Sequence, residues 1–572
     1  MPSPLAAPES AGEGELPSPP PSPAAAGEGE LRSPPAAPVS AGEGVLRSTP
    51  AAPASAGEGA GRVAAFGGVV AALAVGIALR VAPVLSADFP LTDGGLFLIM
   101  IEAVRAAHLA LPATVHYNGM DLPFTYPPLG FYLAAGLAEL TGASPIDLLR
   151  FIPLAVSLVA LLAFAWAARR ATTSRIAAAI AIWLFALAPG AYVPFLMGGG
   201  LTRGLGFLFA IVALDQAYAM YRTRSRAAVA LCAVMSGLTL LSHPSVAWFL
   251  AFSAGAIFLA FGRNGAGLAR SIAVGIGALA IASPWIGVAI WQNGPGAFLA
   301  AFQKGSFLLG TASSAATLES VATTVFLLAL LLGCLALATS GRRGLFALGW
   351  IGLILVLAPR ELARASIIPM SLAAGELAAA GISWIRPWRT AAPGVGGWGR
   401  WRRWVGPALA ASAFLALWPV TVVLLTDRDG FVALSPPERA AMAWASQSTP
   451  SSSRFLIITG RPWPRDRVSE WFPVLAGRVS AVTPQGTEWT SDGRFARLSD
   501  ANALAQACAV NDATCLDRWR EETGIGVDYV YLARDGSRRC CPALEGSLRA
   551  DHRYRAVFNE PTAVVFARAD AR

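Results

Sequence analysis

The sequence has little charge: 14% of its 572 residues are Asp, Glu, Lys or Arg, whereas 55% are hydrophobic. An average soluble domain carries about 25% charged residues, so a wholly soluble protein is excluded. Lysine is almost absent, with Lys304 as its one example, and the net charge of +9 comes from arginine. The arginines form short clusters between apolar runs, which is typical of membrane topology and not of a nucleic-acid partner.

Large apolar residues are also scarce in residues 1–60, where the tetrapeptide AGEG recurs with a 15-residue period. Repeats of Pro, Ser, Ala, Gly and Glu cannot bury a core, so we expect a disordered cytoplasmic tail. A spacer is the favoured role for it, and a regulatory or partner-binding role is the alternative.

Apolar runs that begin at Val63 predict eleven membrane spans. The run 129–140 is not one of them, because its 12 residues cannot cross ~30 Å of hydrocarbon as a helix. With this run kept outside, 15 arginines fall in five loops on the side of the tail, which the positive-inside rule makes cytoplasmic. The predicted spans are 63–84, 149–168, 176–192, 204–221, 227–242, 245–262, 271–291, 318–338, 344–358, 366–385 and 405–426.

An odd number of spans places the C-terminus outside. We therefore expect a polytopic α-helical protein of the plasma (inner) membrane, with a transmembrane domain at 61–427 and its first outer loop at 85–148. Residues 428–572 carry more charge, and the short β-type runs RFLIITG, DYVYLA and TAVVFAR follow a helical PPERAAMAWASQ. They predict a small extracytoplasmic α/β or α+β domain.

Four of the six cysteines, Cys508, Cys515, Cys540 and Cys541, lie in this C-terminal region. In a compact extracytoplasmic domain they predict disulfides, and we expect the adjacent Cys540 and Cys541 to bond to different partners. Their spacing fits common zinc sites poorly.

The first outer loop contains the residues that are most suggestive of chemistry. Asp88 and Asp93 follow the first span, and Asp93 precedes Gly94-Gly95 and an amphipathic run that is suited to the membrane interface. A turn of aromatic and proline residues, PFTYPP at 123–128, then leads into the short helix 129–140. As alternatives without chemistry, Asp93 caps the interfacial helix and Asp88 is a solvated loop residue.

This order of span, acid, interfacial helix, PPL, short helix and span resembles the GT-C superfamily of membrane glycosyltransferases. The resemblance is to the protein O-mannosyltransferase and lipid A aminoarabinose transferase-like branch. Its most specific part is DGGLF…NG-x3-PFTYPPLGFY at 93–132, and it extends from about residue 63 to the last span. It implies a catalytic acid at Asp93, with Asp88 as the alternative because the usual acidic neighbour of this position is here a glycine.

The resemblance also implies the reaction. A sugar would pass from a polyprenyl-phosphate donor to a glycan, lipid or protein acceptor at the outer face, with a carboxylate that deprotonates or orients the acceptor hydroxyl. Inversion at the anomeric carbon is favoured because no nucleophile pair is evident. No cofactor is certain, and a divalent cation is left open because Asp88 and Asp93 can either share an ion or act separately.

Arginines on the outer side run against the positive-inside bias, so we consider them as ligands of the donor phosphate. They are Arg203, Arg360 and Arg364, for which snorkelling to lipid headgroups or pairing with Glu361 is the alternative. Exposed tryptophans beside acids suit stacking on a sugar, although the same residues can fill a core. The candidate substrate-binding residues are Glu102, Tyr126, His243, Glu470, Trp471, Glu488 and Trp489.

Two other functions remain open from the sequence. A secondary transporter or flippase would use ionisable residues within the membrane, and Asp215 and Glu376 fall inside predicted spans. A non-catalytic GT-C-like scaffold would use the outer domain to bind a glycan or a partner.

Overall fold

The computed structural model describes residues 56–297, 342–357, 362–385, 432–534 and 540–569. The chain from Ala56 onwards forms one compact unit. Residues 1–55 of the predicted tail and the predicted spans 318–338 and 405–426 lie outside the described residues. The predicted domain boundary at 428 stays a prediction.

Helices occupy the positions of all nine predicted spans that fall within the described ranges. Five of the described helices are long and apolar enough to cross a membrane, or six if the pair that bends by 83° at Pro189 counts as one span. The chain is therefore a multi-pass membrane protein, whereas its total of eleven spans stays a prediction. The helices are α1 (Ala56–Ser86), α2 (Gly95–Ala106), α3 (Leu129–Thr141), α4 (Pro145–Ala171), α5 (Arg175–Leu187), α6 (Val193–Leu196), α7 (Gly200–Thr223), α8 (Arg226–Leu240), α9 (Pro244–Phe261), α10 (Gly265–Asn293), α11 (Arg342–Leu357), α12 (Leu362–Ala365) and α13 (Ile367–Ile385).

The first outer loop contains α2, α3 and a hairpin between them, formed by β1 (Thr114–Tyr117) and β2 (Met120–Pro123). Its turn is Asn118-Gly119, and both residues have positive φ, 54° and 71°, as a two-residue hairpin turn of this type requires. The helix α2 ends at Ala106. His108 lies beyond this end with a φ of 50°, and so does not continue the helical face of Glu102 and Arg105.

The C-terminal residues form a series of helices and strands. They are α14 (Pro436–Ser448), β3 (Arg454–Ile458), α15 (Arg467–Leu475), β4 (Val479–Ser480), α16 (Arg494–Ala507), α17 (Ala513–Thr523), β5 (Tyr529–Ala533), α18 (Pro542–Ala550), β6 (Tyr554–Glu560) and β7 (Ala563–Arg568). The strands form a mixed five-stranded sheet in the order β4-β3-β5-β7-β6. The three predicted β-type runs coincide with β3, β5 and β7, and the predicted amphipathic helix coincides with α14. Helices flank the strands along the chain, as expected for a small α/β region.

The first outer loop and this sheet share one hydrophobic core. Side chains of α2, β1, β2 and α3 are buried together with side chains of α14, β3, α15, β5 and β7. At the edge strand β4, the Asn118 amide completes the contact: its Nδ2 donates to the Ser480 carbonyl at 2.9 Å, and its Oδ1 accepts from the Ser480 N–H at 2.7 Å. The hairpin is thus fixed against the C-terminal region.

The cysteines pair differently from the expectation. Cys508 bonds to Cys515, with a Cα–Cα distance of 5.6 Å between the end of α16 and the start of α17. Cys540 and Cys541 bond to each other. The prediction that these neighbours have different partners is wrong, because the short α16–α17 connection already brings the other two cysteines together.

Candidate active site in the first outer loop

Asp93 lies between α1 and α2 and faces the turn that precedes α7. Its Oδ1 accepts a 2.7 Å hydrogen bond from the Gly199 N–H, and part of the side chain remains accessible. Desolvation raises the pKa of Asp93, against the opposing effects of the Gly199 N–H, Arg203 and Arg364. A carboxylate that is held this way is a stronger base than an ordinary surface aspartate.

A run of three glycines makes this contact feasible. A Cβ on Gly198 would lie 2.0 Å from the Asp93 carbonyl oxygen, and a Cβ on Gly199 would lie 2.6 Å from Asp93 Oδ2. The backbone of Gly198 and Gly199 therefore approaches Asp93 more closely than any residue with a side chain allows. The sequence shows the run GGGL, but sequence reasoning did not connect it with Asp93.

The N-terminus of α2 is capped by Glu470 and not by Asp93. Glu470 comes from α15, and its Oε1 accepts from the N–H groups of Gly94 and Gly95 at 2.9 and 3.1 Å. The alternative in which Asp93 serves as the helix cap is therefore wrong. Burial and the nearby charge of Asp93 raise the pKa of Glu470 well above its usual range.

Asp88, the second candidate acid, is in a different environment. Its carboxylate is 59% exposed and forms an ion pair with Arg439 of α14, which holds the pKa of Asp88 below its usual value. A low pKa weakens a general base. Of the two candidate acids, Asp93 therefore has the environment better suited to a general base.

Two arginines line an open cleft close to Asp93. Arg203 lies in the first turn of α7 and Arg364 in α12, and both act electrostatically on Asp93. The rest of the lining is largely apolar. Arg360 lies outside the described residues. The lining residues are Phe195, Arg203, Phe207, Ser245, Val246, Phe249, Arg364 and Ala365.

An aromatic wall, formed by Tyr126, His243 and Trp489, lies beside this cleft. Tyr126 lies with its ring centroid 5.4 Å from Trp489 and 6.2 Å from the imidazole of His243, and its hydroxyl accepts from Thr202 at 3.4 Å. His243 caps α9, and its Nδ1 lies 3.0 Å from Ser245 Oγ. The structure therefore brings Tyr126, His243 and Trp489 together.

Of the two interpretations of the tryptophans, burial is the one that the structure bears out. Trp471 is fully buried, with its ring edge-on to Phe89 at 4.7 Å, and Trp489 is 8% exposed. Trp471 belongs to the core that the outer loop shares with the C-terminal sheet, whereas Trp489 packs against the Tyr126 ring. Sugar contact by these residues stays a prediction.

The remaining candidate acids of the substrate set lie in two places. Glu102 is half-exposed on α2 and pairs with Arg105, which also bonds to Glu139 of α3. Glu488 is partly exposed beside Trp489 and acts on Tyr117 and Tyr126. Glu488 is thus near the aromatic wall, whereas Glu102 belongs to an ion-pair network at the surface.

The two acids within predicted spans have polar partners. Asp215 accepts from Arg170 at 2.8 Å, and Glu376 accepts from the backbone and hydroxyl of Thr173 just before α5. Arg80 in α1 was missed by the sequence reasoning, although a charged residue inside an apolar run is a signal. It is fully buried, donates to the Ala186 carbonyl at the end of α5, and lies over the Tyr192 ring.

Within the ranges that the structure describes, no group of three or more His, Cys, Asp or Glu side chains could hold a metal ion. Asp88 and Asp93 have separate protein partners, Arg439 and Gly199. A shared divalent cation between them stays untested.

No family model and no curated protein matches the chain. Among solved structures, the chain is similar to ArnT from Cupriavidus metallidurans in the apo state, at 16% identity, with 88% of this chain and 98% of that chain covered and a TM-score of 0.49. It is also similar to the oligosaccharyltransferase AglB from Archaeoglobus fulgidus in complex with an inhibitory peptide and a dolichol-phosphate, at 14% identity, 82% and 69% coverage and a TM-score of 0.49.

A third similarity is to the arabinofuranosyltransferase AftD from Mycobacteria, at 18% identity, with 86% of this chain and 41% of that chain covered and a TM-score of 0.47. The described elements follow the order that the sequence resemblance implies: apolar helix, acid, loop helix, short helix, apolar helix.

Proposed function

We propose that the protein is a glycosyltransferase that moves a sugar from a polyprenyl-phosphate donor to an acceptor at the outer face of the membrane. The observation that carries the proposal is the position of Asp93: a partly accessible acid with a raised pKa, set beside two arginines that line an apolar cleft. The acid would serve the acceptor hydroxyl, the two arginines would bind the donor phosphate, and the apolar surface would contact the isoprenoid chain.

In this mechanism Asp93 accepts the proton of the acceptor hydroxyl as its oxygen attacks the anomeric carbon. The bond from that carbon to the phosphate oxygen breaks, and the polyprenyl phosphate leaves with the electron pair. Arg203 and Arg364 stabilise the departing phosphate through charge-assisted hydrogen bonds. One base suffices for a direct displacement, so the product anomer is inverted.

The aromatic wall supplies the surface for the sugar and its acceptor. Tyr126, His243 and Glu488 offer a hydroxyl, a ring nitrogen and a carboxylate near Asp93, and pyranose or furanose rings are held by groups of this kind.

Arg364→Gln is expected to weaken binding of undecaprenyl phosphate about 10- to 100-fold, because a charge-assisted hydrogen bond contributes about 1.5–3 kcal/mol. Binding to the purified protein in nanodiscs is the measurement. Arg224→Gln, which removes an exposed arginine at the end of α7, is the matched control and should bind like the wild type. Undecaprenol without phosphate should bind both variants equally, and a loss of that binding too would contradict a role in phosphate recognition.

The rate of transfer should fall in mild acid. Asp93 must be ionised to act as a base, and its raised pKa means that it is protonated at a higher pH than an ordinary aspartate. We therefore expect kcat/KM, which reports the ionisation of the free enzyme, to decrease as the pH falls through this raised pKa, with the protein still folded by circular dichroism. A rate that stays flat down to the usual pKa of an exposed aspartate would argue against Asp93 as the base.

A further inference from the structure

Glu470 connects the C-terminal sheet region to the peptide that carries Asp93. It lies 376 residues further along the chain than Gly94, yet its carboxyl group binds the N–H groups of Gly94 and Gly95. Gly94 has a φ of 132°, a conformation that side-chain-bearing residues rarely adopt, and a Cβ on Gly95 would lie 2.8 Å from the Glu470 carbonyl oxygen. The two backbones are therefore in direct contact.

Other groups hold Glu470 in this place. Tyr117 of the hairpin donates its hydroxyl proton to the Glu470 carbonyl oxygen at 2.9 Å. The Trp471 ring would lie 3.1 Å from a Cβ on Gly94, so it packs directly against this part of the backbone. Glu470 itself is 6% exposed, and its Oε1 is already occupied by the two glycine N–H groups.

Asp93 is thus fixed from two directions. On one side its carbonyl and carboxyl groups pack on Gly198 and Gly199, and on the other side the next peptide is bound by Glu470. A shift of about 1 Å in a catalytic group can lower a rate by 10²-fold. The orientation of Asp93 therefore depends on a residue from the C-terminal region.

We propose that Glu470 is a positioning residue for Asp93: its carboxyl group holds the Gly94-Gly95 backbone so that the Asp93 side chain faces Gly199, Arg203 and Arg364. This inference rests on the proposed function only in taking Asp93 as the reactive acid. It replaces the direct contact with substrate that the sequence predicts for Glu470.

Glu470 performs this role by accepting the two backbone hydrogen bonds through Oε1, and this does not require a negative charge. Burial and the charge of Asp93 raise the pKa of Glu470, which favours the protonated acid. A glutamine side chain has the same shape and keeps one carbonyl oxygen for the two N–H groups. Glutamine should therefore replace Glu470, whereas alanine should not.

The test compares wild type, Glu470→Gln and Glu470→Ala as full-length proteins in nanodiscs. Hydrogen–deuterium exchange is measured on a peptide that contains Gly94 and Gly95, and transfer is measured with polyprenyl-phosphate sugars. For Glu470→Ala we expect exchange of these amides to rise at least tenfold and kcat to fall about 100-fold, with the donor KM within threefold. For Glu470→Gln we expect both quantities within threefold of the wild type.

Asp517→Ala is the control for a general effect on the C-terminal region. Asp517 lies on α17 and pairs with Arg553, and none of the hydrogen bonds or ion pairs of Asp517 within the described residues reaches the outer loop. It should leave exchange at Gly94 and Gly95 unchanged. Wild-type exchange in Glu470→Ala, or equal losses in the alanine and glutamine variants, would overturn the proposal. A wild type without transfer would refute the proposed function, and the exchange data would still decide whether Glu470 holds this backbone.

Discussion

Replacing Asp93 with asparagine is expected to lower the rate of sugar transfer by about 10²- to 10⁴-fold, the usual contribution of a general base. Asparagine retains a carbonyl oxygen that can accept from the Gly199 N–H, so the turn before α7 should stay intact. The variant should therefore insert, fold and bind undecaprenyl phosphate like the wild type. Single-turnover transfer and thermal unfolding, measured on the same preparation, separate the two effects.

Two other aspartates of the same loop make this test specific. Asp121 is exposed and pairs with His116, so Asp121→Asn should transfer at the wild-type rate. Asp88→Asn removes an exposed ion pair with Arg439, which contributes about 1 kcal/mol or less, and should keep most of the activity. A large loss in Asp88→Asn together with an active Asp93→Asn would reverse the assignment of the acid.

Gly199→Ala should also abolish most of the activity, by about 100-fold, because the new Cβ would lie 2.6 Å from Asp93 Oδ2. The backbone of Gly199 has φ −65° and ψ −9°, which every residue adopts, so strain in the backbone is not the reason. The contact with Asp93 alone forces the carboxyl group or the turn to move. Transfer rate and thermal unfolding are measured together.

Gly136→Ala provides the matched control, since no atom lies within 4 Å of a Cβ at that position of α3. Alanine is the better helix former, so this variant should be as stable as the wild type or more stable by up to about 1 kcal/mol. Its activity should be unchanged. Full activity in Gly199→Ala would show that Asp93 does not need the close approach of the glycine turn.

Short-range patterns in the sequence were sufficient to predict many of the helices and strands of this structure. Apolar runs and arginine clusters placed the helices, and the run 129–140 is indeed a separate short helix, α3. The short β-type runs located β3, β5 and β7. Each of these signals is written within about 30 consecutive residues.

The rest depends on contacts between distant parts of the chain. Nothing near Glu470 in the sequence indicates that it caps α2, 376 residues away from Gly94. The sequence likewise does not show which residues bury Trp471, because the outer loop that contributes Phe89 to its surroundings is far away in sequence. Cysteine pairing likewise followed from the packing of α16 and α17 and not from spacing.

The rival functions make different use of the same residues. A transporter would need ionisable groups that serve a substrate within the membrane, whereas Asp215 and Glu376 are engaged by Arg170 and Thr173. A non-catalytic scaffold would bind the lipid-linked donor through the arginine cleft without turning it over. Neither rival transfers sugar, so sugar transfer, and not donor binding by Asp93→Asn, separates them from the glycosyltransferase.

The most direct test of the central claim is a transfer assay on the wild-type protein in nanodiscs, with a panel of radiolabelled polyprenyl-phosphate sugars and a crude envelope fraction as acceptor. We expect label to move to the acceptor from at least one donor, with one free polyprenyl phosphate released for each sugar and an inverted anomer in the product. A folded protein that binds the donors and transfers none of these sugars would contradict the proposed glycosyltransferase.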